Sequence, residues 1–458
     1  MTTIQELGQL LRRKSLSPVE LVEQHLERIL QLNPKLNAFI TVMTKEALTQ
    51  ACQAEKEIRD GEWRGPLHGV PIGLKDLIDT AEVKTTAASA RFKDRIPSQD
   101  ATVVRRLKAA GAVLLGKQNL HEFAYGGSSM ISYYGEVHNP WNTEHIAGGS
   151  SGGSAASVAA KLGCGAIGTD TAGSVREPAA LCGMVGLKPT YGRVSASGVI
   201  PLSPSLDHVG PITRCVSDAA VILQAIAGFD SVDPTSADRP TENYIAALEK
   251  KLEPLRIGIP RKFFYDDLDP EIATAIKHAL SVLEASAKDI REIELNVPMD
   301  RTLQSAESYV HHKDSIEQHP ELYQPETLRR LKTGIAITQE QISEQRRKLA
   351  KYRNEIAGVF ENVDVLVTST TPVPAPKISE LKQDRDKLRE RELLLLRNTR
   401  PFNVWGLPAI SVPCGFTESG LPIGLQIAGP HWQELSVLQL AHAYEQATTW
   451  HKRQPLLK

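Results

Sequence analysis

What this sequence of 458 residues lacks excludes several classes of protein at once. It has five cysteines, Cys52, Cys164, Cys182, Cys215 and Cys414, scattered with no CxxC pair. A disulfide framework is excluded, and the thiols read as reduced ones in a cytoplasmic protein. It lacks an excess of either charge: 53 Lys and Arg stand against 54 Asp and Glu, a net charge of −1. Phosphate binding needs a basic face, so no nucleic-acid partner is expected. It lacks a long apolar run as well. The stretch from Val216 to Phe229 carries Asp218 and falls short of the roughly 20 apolar residues a membrane span requires. The N-terminus, MTTIQELGQLLRRK, has no apolar stretch before a cleavage site, so no secretory signal is expected. With 41% hydrophobic and 23% charged residues, a disordered chain is excluded too. The length allows three domains of roughly 150 residues or one large α/β domain. No linker or repeat is visible, which favours one.

Along the chain, Ser17-Pro18-Val19-Glu20 combines an N-cap, a proline at the first helical position and a glutamate at the third. A helix follows, with Leu21, Val22, Leu26, Ile29 and Leu30 at helical spacing, and Asn33-Pro34 is expected to stop it. From Gly65 the texture changes. Val70 to Leu74 and Ala112 to Leu115 read as short buried strands around a helical run from Ala101 to Ala110, an α/β alternation. Ile257 to Pro260, Val363 to Val367 and Ala409 to Val412 read as later strands, and 270–360 as mostly helical. Lys382 to Arg397 mixes both charge signs and reads as a solvated helix face. Fifteen of the 32 glycines lie between Gly126 and Gly198. Close helix–strand packing explains that enrichment, and so does a site where backbone N–H groups approach a ligand.

Three motifs fail on inspection. Gly111 to Gln118 nearly matches GxxxxGK[ST], but Gln118 replaces the hydroxyl that holds magnesium and an apolar strand fills the loop. Among 13 histidines there is no HExxH, and His311-His312 lacks a third ligand, so no metal is expected. Gly148-Gly149-Ser150-Ser151-Gly152 fits the G-x-S-x-G elbow of α/β-hydrolases. That elbow needs a strand just before the serine, and Asn142 to Ala147 is a poor one.

Several segments in fixed order point one way. They are Gly69-Val-Pro-Ile-Gly-Leu-Lys75-Asp76, then Gly148 to Ser154, then Gly168-Thr-Asp-Thr-Ala-Gly-Ser174-Val-Arg176-Glu-Pro178, followed by Cys182 to Thr190 and Ser205 to Pro211. Gly406 to Pro413 and Gly420 to Gln426 complete the set. This pattern resembles the amidase signature family of serine amidohydrolases, over about 65–215 and again near 400–430. The resemblance implies one α/β domain, a large twisted mixed sheet with helices on both faces. Within 1–458 it implies N-terminal helices over 1–64, a signature core over 65–215, a variable, mostly helical substrate side over 240–400 and a core return over 401–458.

It also implies a Ser-Ser-Lys triad. Ser174 is the nucleophile, Ser150 the bridging serine after a cis peptide bond, and Lys75 the base. A serine hydroxyl is a weak nucleophile and needs a base. Lysine can serve only if burial lowers its ordinary pKa of about 10.4. Backbone N–H groups of Thr171, Ala172, Gly173 and Ser174 resemble the family's oxyanion loop. Here Ala172 stands where the family commonly has glycine, a strained choice if that position demands positive φ. Pocket walls are expected from 125–132 and parts of 300–405, with Gly126, Gly127, Ser128 and Glu177 on the substrate side. Glu177, one turn beyond Ser174, would repel acyl groups bearing a free carboxylate if it faces the pocket. Pairing with Arg176 or Arg193 is the alternative.

The reaction implied is hydrolysis of an amide-type C–N bond through an acyl-enzyme on Ser174, without cofactor. Esters and carbamates are chemically open to the same triad. The expected partner is a small-molecule amide or carbamate, with no nucleic acid, no membrane and a homodimer left open. The rival reading is the glutaminase subunit of a tRNA-dependent amidotransferase, which shares the 65–215 motifs. A non-catalytic binding protein is a third reading, opposed by the intact Lys75, Ser150 and Ser174.

Overall fold

A computed structural model describes residues 2–457. Two helices open the chain, α1 (Ile4–Arg12) and α2 (Pro18–Leu36), each started by a side-chain cap. Thr3 and Glu6 form a reciprocal capping box at α1, and Ser17 Oγ accepts from the N–H groups of Val19 and Glu20 at α2. Pro34 lies inside α2 and does not end it. So close to the terminus it removes a single intrahelical bond. The stop comes from Asn37, at φ 51°, whose N–H closes onto the Asn33 carbonyl. A third helix, α3 (Thr44–Arg59), follows the edge strand β1 (Phe39–Val42), and a fourth, α4 (Thr102–Ala109), lies between the next two strands of the chain.

The interior strands are β2 (Pro71–Lys75), β3 (Val113–Gln118), β6 (Gly165–Asp170), β7 (Val185–Lys188) and β8 (His208–Thr213). From the second half come β9 (Leu255–Ile259), β10 (Ala287–Glu292), β11 (Val365–Ser369), β12 (Ala409–Phe416) and β13 (Pro422–Ala428). With β1 they form an eleven-stranded sheet ordered β1-β3-β2-β6-β8-β7-β12-β13-β11-β9-β10. Pairing is parallel for β3-β2-β6 and for β11-β9-β10, and antiparallel elsewhere, so the sheet is mixed. The C-terminal return enters its centre, because β12 pairs with β7.

Period-two alternation sends neighbours to opposite faces. Leu114 and Ile167 join one core, with α1 and the helix Val216–Ile226. Val113, Leu115 and Ala166 join the other, with α2 and α3. Helices therefore cover both faces of one α/β sheet, as the sequence implies. Asn142–Ile146 departs from expectation. It is a strand, β5, paired with β4 (His138–Asn139) in a separate two-stranded sheet. This hairpin stands outside the main sheet and is not the buried strand a nucleophile elbow follows. Among the described residues no helix is long and apolar enough to cross a membrane.

Candidate active site

Lys75 ends β2, a strand with parallel neighbours on both sides, at the C-terminal edge where open α/β sheets present ligand sites. Its side chain is fully buried. Nζ donates to Ser150 Oγ at 2.7 Å and to Thr169 Oγ1 at 2.8 Å. Burial disfavours the ammonium and brings Lys75 from 10.5 down to about 7, while Asp170 and Asp207 pull upward. Asp207 itself is pushed up to about 6 by burial, against hydrogen bonds from Thr171 Oγ1 and the Ser203 and Leu202 N–H groups. A cavity of about 210 Å³ borders Thr169, Asp207 and His208 on that side.

Ser150 sits between β5 and the helix α5 (Gly152–Ala159). The Gly149–Ser150 peptide is cis. Ser174 lies in the 171–175 loop that joins β6 to α6 (Arg176–Leu181), and the Ser151 N–H donates to the Ser174 carbonyl at 3.3 Å. Lys75, Ser150 and Ser174 are thus brought into one buried neighbourhood.

The Asp170 carboxylate organises the loop. It accepts from the N–H groups of Gly173 (2.7 Å), Val175 (3.2 Å) and Arg176 (3.4 Å), and from the Arg176 guanidinium at 3.0 Å. Burial pushes its pKa up, but Arg176 outweighs that and holds it below the usual carboxylate range. This corrects one expectation. The Gly173 N–H is spent on Asp170 and is not open to an oxyanion, whereas Thr171, Ala172 and Ser174 have no acceptor for theirs among the described residues. Gly173 is required for another reason. Its φ is 133°, and a β-carbon there would collide with Thr399 Oγ1. Ala172 does not adopt positive φ, so alanine is unstrained.

Glu177 is fully buried, and Oε2 accepts from the Gly149 N–H at 2.8 Å. Neither expected partner holds it, because Arg176 pairs with Asp170 and Arg193 with Glu434. Burial raises its pKa well above the ordinary value, and Glu392 and Asp170 raise it further. Burial toward the neutral form weakens the like-charge repulsion of a carboxylate substrate.

Gly126, Gly127 and Ser128 lie beside the site on a buried loop. A β-carbon on Gly127 would press on Leu396, and Ser128 Oγ donates to Glu392 Oε1 at 2.6 Å. Glu392 belongs to the helix Leu388–Leu395 and is fully buried. Lys382 to Arg397 is therefore not simply a solvated face, since part of it closes the site. Sequence reasoning assigned no role to Thr169, Asp170 or Asp207, although all three lie inside the quoted motifs. Among the described residues no group of three or more His, Cys, Asp or Glu side chains is placed to hold a metal.

A family model described as Amidase matches residues 20–438. The chain belongs to the amidase signature family. It is accordingly an enzyme that hydrolyses carbon–nitrogen bonds in amides other than peptide bonds. One subunit of the glutamyl-tRNA(Gln) amidotransferase of Geotalea daltonii is 42% identical over 99% of both chains. Among solved structures, 6-aminohexanoate cyclic dimer hydrolase in complex with substrate superposes with a TM-score of 0.89 at 30% identity, covering 99% of this chain and 98% of that one. The corresponding glutamyl-tRNA(Gln) amidotransferase subunit from Thermotoga maritima superposes with a TM-score of 0.76 at 34% identity, covering 94% and 92%. The two amidotransferase subunits overturn the expectation of a small-molecule partner with no nucleic acid. Their name places them as one subunit of an enzyme of tRNA. A charge sum says nothing about how charge is distributed, so a net charge near zero does not by itself exclude a nucleic-acid partner.

Proposed function

We propose that this amidase-family chain is the amide-hydrolysing subunit of an amidotransferase, releasing ammonia from a carboxamide such as that of glutamine. The observation that carries the reading is 42% identity to an amidotransferase subunit, over 99% of both chains. In the proposed chemistry neutral Lys75 accepts the Ser150 hydroxyl proton across the 2.7 Å contact. Ser150 in turn takes the proton of Ser174 as its Oγ attacks the amide carbon. The N–H groups of Thr171, Ala172 and Ser174 are the candidates to stabilise the oxyanion. Collapse returns the proton through Ser150 to the leaving nitrogen, ammonia departs, and water cleaves the acyl-enzyme by the same relay. Five free cysteines suit a cytoplasmic setting.

A second reading, an amidohydrolase acting without amidotransferase partners, is favoured by the closer superposition on the cyclic dimer hydrolase, 0.89 against 0.76. Ammonia release from glutamine, measured for the purified chain alone and with the remaining subunits of a glutamyl-tRNA(Gln) amidotransferase, separates the two. Glutaminase activity that appears or rises with those subunits supports the first. Full activity on simple amides, unchanged by them, refutes it in favour of the second.

A further inference from the structure

A residue outside the triad holds the peptide plane from which the bridging serine projects. The carbonyl of Ser150 and the N–H of Ser151 belong to one rigid peptide unit. Its N–H donates to the Ser174 carbonyl at 3.3 Å. Its carbonyl accepts from the His121 N–H at 3.1 Å and from Ser129 Oγ at 3.2 Å. The orientation of that plane directs Ser150 Oγ, which accepts from Lys75 Nζ at 2.7 Å. One peptide unit therefore ties the bridging serine to the loop of Ser174, and Ser129 supplies the only side chain that grips it among the described residues.

Ser129 is fitted closely to this place. It is fully buried, and its hydroxyl is used twice, donating to the Ser150 carbonyl and accepting from the N–H of Gly152, the first residue of α5, at 3.2 Å. Its own carbonyl accepts from the Val137 N–H at 3.1 Å. Its backbone lies in the left-handed region, at φ 51°, which residues other than glycine seldom enter and keep only where the surroundings impose it. The glycines facing it leave the room. A β-carbon on Gly149 would lie 2.8 Å from Ser129 N and Oγ, and one on Gly152 would lie 2.5 Å from Oγ. A glycine at 129 would take the same φ without strain. What glycine lacks is the hydroxyl.

We propose that Ser129 is a positioning residue, whose hydroxyl fixes the Ser150–Ser151 peptide plane and with it the Ser150 hydroxyl that carries the proton between Ser174 and Lys75. The proposal rests on the reading of Ser150 as the bridging serine. Ser129 makes no hydrogen bond to Lys75 or to Ser174 among the described residues, so its effect on the reaction passes through Ser150. Adjacent serines of one loop thus serve different neighbours, because Ser128 donates to Glu392.

The test is a double-mutant cycle on the full-length chain, read as the rate at which a fluorophosphonate attaches to Ser174. That reaction needs the relay but neither an amide substrate nor partner subunits. At saturating probe Ser129→Ala should label about tenfold to 100-fold more slowly than wild type, with the half-saturating concentration unchanged. Ser150→Ala should be slower by about 10²–10⁴-fold. The double variant should match Ser150→Ala within about twofold, because a residue that acts through Ser150 then has nothing left to position. Ser129→Gly relieves the left-handed backbone and removes the same hydroxyl. It should lose as much as Ser129→Ala, and it decides the matter if the alanine variant folds poorly. An equal loss from Ser129→Ala with and without Ser150 Oγ, or a wild-type rate in Ser129→Gly, overturns the proposal. Wild-type labelling in Ser150→Ala would instead sink the bridging-serine reading, and this proposal with it.

Discussion

Replacing Lys75 with methionine should cost the enzyme its activity and make it more stable over part of the pH range. Methionine keeps the length and the burial of the side chain and removes its charge. In the folded protein burial brings Lys75 from 10.5 to about 7. Because the folded value is the lower one, the unfolded chain holds an extra proton between about pH 7 and 10.5. The resulting penalty on the native state is complete below pH 7, shrinks as pH rises and disappears above 10.5. At about 1.36 kcal/mol per pH unit it amounts to about 4 to 5 kcal/mol at pH 7 and below.

Methionine also leaves Ser150 Oγ and Thr169 Oγ1 without their amine, which costs about 1–3 kcal/mol at any pH. The variant should therefore be more stable than wild type by about 2–3 kcal/mol near pH 6, equal to it near pH 9 and less stable above that. Chemical denaturation of both proteins from pH 6 to 10.5 reads the difference. Lys117 and Lys188, also buried, titrate in both proteins and cancel. In wild type, kcat/KM on an amide should rise with pH through about 7 and level off, because the base is the neutral amine. The variant should lose about 10²–10⁴-fold. A stability difference independent of pH, or an activity limb above pH 9, would refute a buried, neutralised Lys75.

Three further outcomes follow from the same geometry. A fluorophosphonate should attach to Ser174, and mapping of the adduct to Ser150, with Ser174→Ala still labelled, would revive the G-x-S-x-G elbow. Asp207→Asn removes a charge that raises the Lys75 pKa, so the acid limb of kcat/KM should move to lower pH; a shift to higher pH would contradict the assignment. Glu177→Gln should leave the ratio of charged to neutral substrate unchanged, whereas Glu177→Ala, which strands the Gly149 N–H, should lower stability by about 1–3 kcal/mol, read as a lower Tm.

Most of the proposed chemistry was legible because it is local. Lys75, Ser150 and Ser174 each sit in a short segment that matches the family's pattern, and β2 and β3 follow from apolar runs beside the first of them, whereas β6, Gly-Ala-Ile-Gly-Thr-Asp, has too few apolar residues to read as a strand. The rest depends on distant segments meeting. Thr399 comes from the C-terminal block, and Glu392 from a stretch whose mixed charges read as a solvated helix face. Nothing in the chain order tells that Thr399 bonds the Ala172 carbonyl or that Glu392 accepts from Ser128. Glu177 shows the same limit at shorter range. Its spacing from Ser174 suggests a pocket wall or a pair with Arg176 or Arg193, and neither choice names the partner it takes, the Gly149 N–H beside Ser150, which comes from a segment 28 residues earlier. The end of α2 failed for a smaller reason: a proline in the last turn costs one bond, while Asn37 in the left-handed region sets the true stop.

The C-terminal block belongs to the site for an electrostatic reason. Arg176, fully buried, joins Asp170 to Gln426 Oε1 at 2.7 Å, Asn403 Oδ1 at 2.7 Å and the Thr399 carbonyl at 3.0 Å. Desolvating such a pair offsets much of its Coulomb attraction, so replacing both partners with apolar groups could be neutral for stability. An apolar pair could not do what Asp170 does, which is to gather three N–H donors around the Ser174 turn while Arg176 fixes it to β13 and to the 399–403 segment. The charge pair therefore sets geometry more than it adds free energy. It also ties together segments more than two hundred residues apart: the turn that carries Ser174 is held from one side by its own strand and from the other by the returning chain.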